Sequence, residues 1–256
     1  MFQNTPAWDL AKAVWDNNTE KIEKIGIENK NLLNFQEPRF GKTVLMLAVH
    51  NNQFETVFTL LKAGANPNIH DRYEGSAALM DACNNHGNAE IAKLLLEYGA
   101  KPNEVSRGIG KPDSSIADFP LMAASRSGNL EIVKFLIHEG AEVNKSNDSQ
   151  ENALTEALIQ DKLDVALYLL ESGANYEISL FDRSKFTENG SKVYISDFLR
   201  EHMYDLDSYE YSLKMKIVNF LKQKGVDYRG TPIPESIAKK AKELYPNSYQ
   251  DYLAKY

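Results

Sequence analysis

Histidine is the side chain that most often serves catalysis or metal binding, and the five histidines of this chain lie far apart. They are His50, His70, His86, His138 and His202. No two of them have the spacing of a zinc motif such as H-E-x-x-H. We expect each to be solvated or hydrogen-bonded within the fold, and we predict no metal site.

The other reactive groups also lack a catalytic context. The single cysteine, Cys83, lies in a small-residue stretch, which favours a buried thiol over a nucleophile. Residues 107–111, RGIGK, resemble a phosphate-binding loop, but Val105 and Pro112 occupy positions where the Walker pattern needs glycine and Ser or Thr. We therefore predict no catalysis and no bound cofactor.

The composition is that of a soluble globular protein with an acidic surface. Of the 256 residues, 43% are hydrophobic and 25% charged, and the net charge is -7. This charge argues against nucleic-acid and anionic-membrane partners, which need a basic surface. No apolar run approaches the length of about 20 residues that spans a bilayer. We expect a cytoplasmic protein, because the first residues lack a signal-peptide pattern. We also expect a monomer.

The elements that would position any site are repeated along the chain. One series of alanines and one of glycines recur at intervals of 33 to 35 residues, except where a loop is inserted. The alanines are Ala13, Ala48, Ala82, Ala124 and Ala157, and the glycines are Gly64, Gly99, Gly140 and Gly173.

The best-preserved copy covers residues 119–144 and predicts two short helices. Small residues form a first helix, Gly128 ends it, and aliphatic residues at helical spacing follow Glu131 up to Gly140. Such a unit cannot bury its apolar face alone, so it must stack on its neighbours.

The pattern resembles the ankyrin repeat family. The endings 64–68 (GANPN), 99–103 (GAKPN) and 140–144 (GAEVN) match the family's Gly-Ala-x-x-Asn, and the resemblance is strong from about residue 43 to 174. It implies an all-α repeat protein, a solenoid of about six helix–turn–helix units with hairpin-like finger loops and degenerate end units. Met46, Met80, Met122 and Thr155 replace the family's histidine, for which we expect looser turns.

We interpret residues 1–256 as a single ankyrin-repeat domain. Residues 5–34 form an N-terminal cap unit, 35–176 four regular units, and 177–256 a degenerate unit with capping helices. The insertion at 104–118 is a long finger loop. In the last part we predict a loop at 176–192, helices beginning near Val193 and Leu213, and two further helices, the first at 235–244.

The resemblance implies partner binding on a concave face built from the first helices and the fingers. The predicted partner-binding residues are Trp15, Arg39, Phe40, Lys42, His50, Tyr73, Glu74, Asn84, Asn85, Arg126, Ser127, Asp148, Glu151 and Ile159. Aromatic residues and arginine are the usual interface anchors. We therefore predict a non-catalytic module that binds a protein. The alternatives are a bacterial effector or immunity-type binding protein, and a small-ligand or enzymatic site in the irregular tail.

Overall fold

A computed structural model describes residues 1–84, 88–109, 117–185 and 191–256. In these residues the chain forms two compact units, Met1–Val165 and Ala166–Tyr256. Helix α10 (Leu163–Glu171) crosses the boundary between them. The single-domain interpretation stays a prediction.

The helices of the first unit form two rows. The first helices are α1 (Trp8–Trp15), α3 (Val44–His50), α5 (Ala78–Cys83), α7 (Pro120–Ser127) and α9 (Ala153–Ile159). The second helices are α2 (Thr19–Glu28), α4 (Phe54–Ala63), α6 (Ala89–Glu97) and α8 (Leu130–His138). Each first helix contacts the next first helix. The second helices do the same, with α2 against α4, α4 against α6 and α6 against α8. The predicted alanines are buried between these helices.

Left-handed residues separate the helices where the sequence pattern predicts breaks. Gly128 ends α7 with φ 78°, and Gly64 ends α4 with φ 104°. Glycine adopts this conformation without the steric cost that a Cβ would bring. At the turns after α1 and α3, Asn17 and Asn52 take the same conformation.

The asparagine of the Gly-Ala-x-x-Asn ending links one repeat to the next. The Asn68 amide donates to the Gly99 carbonyl at 2.8 Å and accepts from the Lys101 amide at 3.0 Å. Asn103 makes the equivalent bonds to Gly140 and Glu142. These bonds stabilise the register between neighbouring repeats.

The turns before α3 and α9 contain reciprocal hydrogen bonds, while the expectation of looser turns than in the family stays a prediction. The Thr43 hydroxyl accepts from the Met46 amide at 3.3 Å, and the Met46 sulfur accepts from the Thr43 amide at 3.5 Å. Asn152 and Thr155 form the same reciprocal pair with oxygen acceptors. Sulfur is a weak acceptor, but it suffices to close this turn.

In its described residues the second unit contains a short antiparallel pair and four α-helices after α10. Strand β1 (Phe181–Asp182) lies in the stretch that we predicted to be a loop, and it pairs with β2 (Lys192–Val193). Val193, where we expected a helix to begin, belongs to β2, and the helix begins two residues later. The helices are α11 (Ile195–Glu201), α12 (Tyr209–Gln223), α13 (Glu235–Leu244) and α14 (Tyr249–Lys255). The predicted bounds of α13 are confirmed, but α12 begins four residues before Leu213.

Candidate functional site

The predicted groove residues lie at the C-terminal ends of the first helices. Trp15, His50, Ser127 and Ile159 are the last residues of α1, α3, α7 and α9, and Asn84 follows α5. Apart from the half-buried Ser127, these side chains are exposed. Asn85 lies outside the described residues. Because the first helices are neighbours, these positions share one edge of the first unit.

An apolar cavity opens at the α1 end of this edge. It measures about 430 Å³, and Trp15, Trp8 and Leu47 contribute to its walls. The exposed fractions of Trp15 and Trp8 are 70% and 44%, so neither ring is needed to fill the core. Lys12 and Asp16 supply polar groups at the same cavity. Two large exposed rings around a cavity form a typical anchor for a partner side chain.

The fingers between the repeats are closed by their own polar groups. In the first finger the Glu37 carboxylate accepts the backbone amides of Arg39 at 2.9 Å and Phe40 at 2.5 Å. In the second finger the Asp71 carboxylate accepts the Glu74 amide at 2.6 Å. Both carboxylates are buried, which fixes the backbone of the fingertips.

Neighbouring fingers are joined through their backbones. The Phe40 carbonyl accepts from the Arg72 amide at 2.7 Å, and the Arg72 carbonyl accepts from the Ile109 amide at 3.0 Å. Gly75 and Gly108 allow this close approach. A Cβ on Gly75 would lie 2.1 Å from the Arg107 carbonyl carbon, and one on Gly108 would lie 2.2 Å from the Tyr73 oxygen.

The predicted fingertip residues form a continuous aromatic and cationic surface. Phe40 and Tyr73 meet edge to face with ring centroids 6.0 Å apart. The Arg39 guanidinium lies 4.7 Å from the Phe40 centroid, a favourable cation–π contact. Tyr73 is exposed, while Lys42 and Glu74 are half-buried at the base of this surface.

The third and fourth fingers begin with backbone pairs. Ser106 pairs with Asp118 across the long insertion, of which residues 110–116 lie outside the described part. In the fourth finger Asn147 accepts from the Glu151 amide at 3.0 Å and donates to its carboxylate at 2.8 Å. The predicted Asp148 and Glu151 are exposed here.

Arg126 is held by two carboxylates on the same edge. Its guanidinium donates to Asp118 at 2.8 Å and to Glu156 at 2.9 Å. Burial lowers the pKa of this group, but the hydrogen bonds that it donates to Glu156 and Asp118, together with their charges, outweigh burial and raise the pKa above its ordinary value. Arg126 therefore links α7 to α9 and to the end of the third finger.

The surroundings of Cys83 and His70 indicate structural roles for these potentially reactive side chains. Cys83 is buried, and burial raises the pKa of its thiol, so the prediction of a buried thiol is confirmed. His70 bonds Glu104 and the Gly75 carbonyl, and His50 is exposed. In the described part of the chain, no three His, Cys, Asp or Glu side chains are close enough to hold a metal.

The tail, which was the alternative location for a ligand site, also contains a cavity. It measures about 620 Å³ and lies beside the C-terminal half of α12. Its ionisable lining residues are Lys222, Asp227, Tyr228 and Arg229. The described lining contains no histidine or cysteine.

Several residues of the candidate surface were missed from the sequence. Trp8 precedes Trp15 by seven residues, which is two helical turns, and this spacing could have revealed the cavity. Arg72 and Arg107 are exposed fingertip residues like Arg39, and Ile109 beside them is 78% exposed. Their nearness depends on the backbone pairing of the fingers, which no local pattern predicts.

Comparison with known proteins identifies the repeat. The model of a family described as ankyrin repeats (3 copies) matches residues 10–106 and 109–179. An ankyrin repeat protein of Acanthamoeba polyphaga mimivirus is 42% identical over 69 residues, 25% of this chain and 12% of the relative. Ankyrin repeat and SAM domain-containing protein 6 of Rattus norvegicus is 37% identical over 92 residues, 36% of this chain and 10% of the relative.

A third relative is shorter. Cyclin-dependent kinase inhibitor 2A of Monodelphis domestica is 33% identical over 90 residues, 35% of this chain and 47% of the relative. The chain thus spans less than half the length of each of these relatives. Within the described residues, no helix combines the length and the apolar character needed to cross a membrane.

Proposed function

Because the chain belongs to the ankyrin repeat family, we propose that it binds a protein partner without catalysis. The binding surface comprises the first-helix ends and the fingers, from Trp15 to Ile159, and we name it the helix–finger surface. Ankyrin repeats generally act as protein-binding modules, and one relative is by name an inhibitor of a protein kinase. The proposal includes a cytoplasmic monomer that uses neither nucleic acid nor membrane.

The apolar cavity at Trp15 and Trp8 is the observation that carries the proposal. Exposed tryptophans cost solvation free energy unless a partner covers them, and tryptophan is among the commonest binding hot spots. The rigid fingers extend the same edge with Phe40 and Tyr73, so a partner can contact aromatic anchors in successive repeats.

The test is a comparison of two double variants. The partner is first identified by affinity purification from the native cell, and its affinity for the purified chain is then measured by calorimetry. Trp15→Ala with Tyr73→Ala removes two anchors and should weaken binding by at least about thirtyfold. Ile27→Ala with Tyr209→Ala removes two side chains outside the surface that are 80% and 64% exposed, and it should leave the affinity unchanged.

Equal affinities of the parent and the Trp15/Tyr73 variant would refute the helix–finger surface. The circular dichroism spectrum serves as the folding control, since exposed substitutions usually change stability by less than about 0.5 kcal/mol. If the partner is a small molecule whose binding depends on Lys222 or Arg229, the tail cavity is the functional site instead.

A further inference from the structure

The first three fingertips each carry one exposed arginine. These residues are Arg39, Arg72 and Arg107, separated by 33 and 35 residues, which is the repeat period. The fingers are neighbours, so the three guanidinium groups lie along one edge, which we name the arginine edge. The chain as a whole has a net charge of -7, so this edge differs in sign from the average surface.

The backbone of the arginine edge is fixed in advance. Arg72 donates its amide to the first finger and accepts from the third, at 2.7 and 3.0 Å. The second and third fingers pack so closely at Gly75 and Gly108 that a Cβ on either glycine would collide with the backbone of the other finger. A surface that is ordered before binding loses less conformational entropy when a partner arrives.

The carboxylates of Glu37, Asp71 and Glu104 in the same fingers bond groups other than the three guanidinium groups. Glu37 and Asp71 are buried and accept backbone amides, and Glu104 is bonded to His70. The Arg72 guanidinium donates to the carbonyls of Pro38 and Glu37, at 3.2 and 3.5 Å. In the part of the chain that the structure describes, none of the three guanidinium groups is paired with a carboxylate.

Apolar side chains accompany the cations. Tyr73 and Ile109 are 48% and 78% exposed, and the Phe40 ring lies under the Arg39 guanidinium. Arginine binds carboxylates through two parallel hydrogen bonds, and exposed aromatic rings cover the neighbouring apolar atoms of a peptide. The combination suits a peptide better than an inorganic anion.

We propose that the arginine edge binds an extended acidic segment of a partner protein. Aspartate or glutamate carboxylates pair with Arg39, Arg72 and Arg107, and apolar side chains of the segment cover Tyr73 and Ile109. This inference rests on the proposed function and names the partner chemistry for one part of the helix–finger surface. A long nucleic acid fits less well, because the acidic remainder of the chain repels a polyanion.

The first experiment compares two short fluorescent peptides by anisotropy with the full chain. One carries glutamates interspersed with leucines, and the other has each glutamate replaced by glutamine. The acidic peptide should bind at least about tenfold more tightly than the amide peptide. Its affinity should fall as salt rises from about 0.05 to 0.5 M, since the pairs are exposed.

The second experiment uses matched charge variants. Arg39→Gln with Arg107→Gln removes two cations of the arginine edge and should weaken acidic-peptide binding about tenfold. Lys21→Gln with Lys24→Gln removes the same charge from the exposed face of α2 and should change the affinity less than about twofold.

Three results would overturn the inference. They are equal binding of the two peptides, equal losses in the arginine and lysine variants, and tighter binding of a single-stranded DNA of equal charge. The proposed function fails separately, when the native partner binds independently of Trp15. A partner that needs Trp15, combined with an acidic peptide that does not bind, removes only the arginine edge.

Discussion

Arg126 was predicted to bind a partner, and its contacts give it a structural role that can be tested by itself. Asp118 and Glu156 are mostly buried, so removing the guanidinium leaves two acids with reduced solvation and no cation. We expect Arg126→Ala to lower the free energy of unfolding by about 1–2 kcal/mol, because unpaired, partly buried charges are costly. Urea unfolding monitored by circular dichroism measures this.

The matched control for Arg126 is Arg39→Ala. Arg39 is an exposed fingertip cation, and its loss should change the free energy of unfolding by less than about 0.5 kcal/mol. Equal stability of the Arg126→Ala variant and the parent would show that the two ion pairs contribute nothing, and would leave Arg126 available as a binding residue.

Lys214 is a second residue whose surroundings determine its protonation. It is completely buried in the second unit, and its Nζ lies 3.4 Å from the Tyr256 ring centroid and 3.2 Å from the His202 carbonyl. Burial and, to a smaller extent, the Arg200 charge lower the pKa of Lys214 to about 6. The groups that face it are Arg200, the His202 carbonyl, and the rings of Tyr204, Tyr228 and Tyr256.

The lowered pKa predicts a pH-dependent stability. Between about pH 6 and 10 the unfolded chain, whose lysine pKa is about 10.4, binds more protons than the folded chain, so the free energy of unfolding rises with pH. Lys214→Met removes this dependence. The variant should be more stable than the parent by about 1–3 kcal/mol at about pH 6, and the difference should fall toward about pH 9. Burial raises the pKa of Tyr228 to about 12, so it titrates above this range.

Urea unfolding at several pH values measures the difference for Lys214→Met. Lys216→Met is the control, because Lys216 is exposed on the same helix and should show no such trend. A difference that stays constant with pH would mean that Lys214 remains charged in the folded protein.

At the scale of elements, the junction of the second and third fingers depends on glycine. Gly75→Ala places a Cβ against the Arg107 backbone at a left-handed φ of 64°. Gly99→Ala has a similar φ of 84° but meets no atom within 4 Å. We expect Gly99→Ala to cost about 1 kcal/mol of stability through backbone strain alone, and Gly75→Ala at least about twice as much. Thermal unfolding of both variants measures these losses of stability. Similar losses in the two variants would mean that backbone strain alone, and not the contact with Arg107, determines the cost.

The repeated elements were predictable because each boundary has a local signal. Small residues mark the first helices, and glycine marks the ends of the second helices, so the pairs from α3 to α8 follow from spacing. The tail lacks such signals. Strands of two residues are too short for an alternating pattern, and Tyr209 and Tyr211, as residues favoured in strands, obscured the Ser208 cap of α12.

The site was less predictable than the fold because its parts come from distant positions. Repeat alignment placed Trp15 and Tyr73 on one surface, since equivalent positions share a face. The alignment could not predict that Arg126 would form an ion pair with Glu156, 30 residues away, or that the third finger would approach Gly75. Such contacts depend on side-chain conformations and on the packing of neighbouring repeats.

At the scale of the whole molecule, the helix–finger surface and the arginine edge both belong to the first unit, so we expect a fragment without the tail to retain them. A fragment of residues 1–179 contains helices α1 to α10 and ends where the family match ends. Repeat proteins draw their stability from contacts between nearest neighbours, so we expect this fragment to unfold cooperatively. It should bind the acidic peptide within about twofold of the full-chain affinity, since the binding charges are retained. A folded fragment that has lost peptide binding would assign a direct role to residues 180–256.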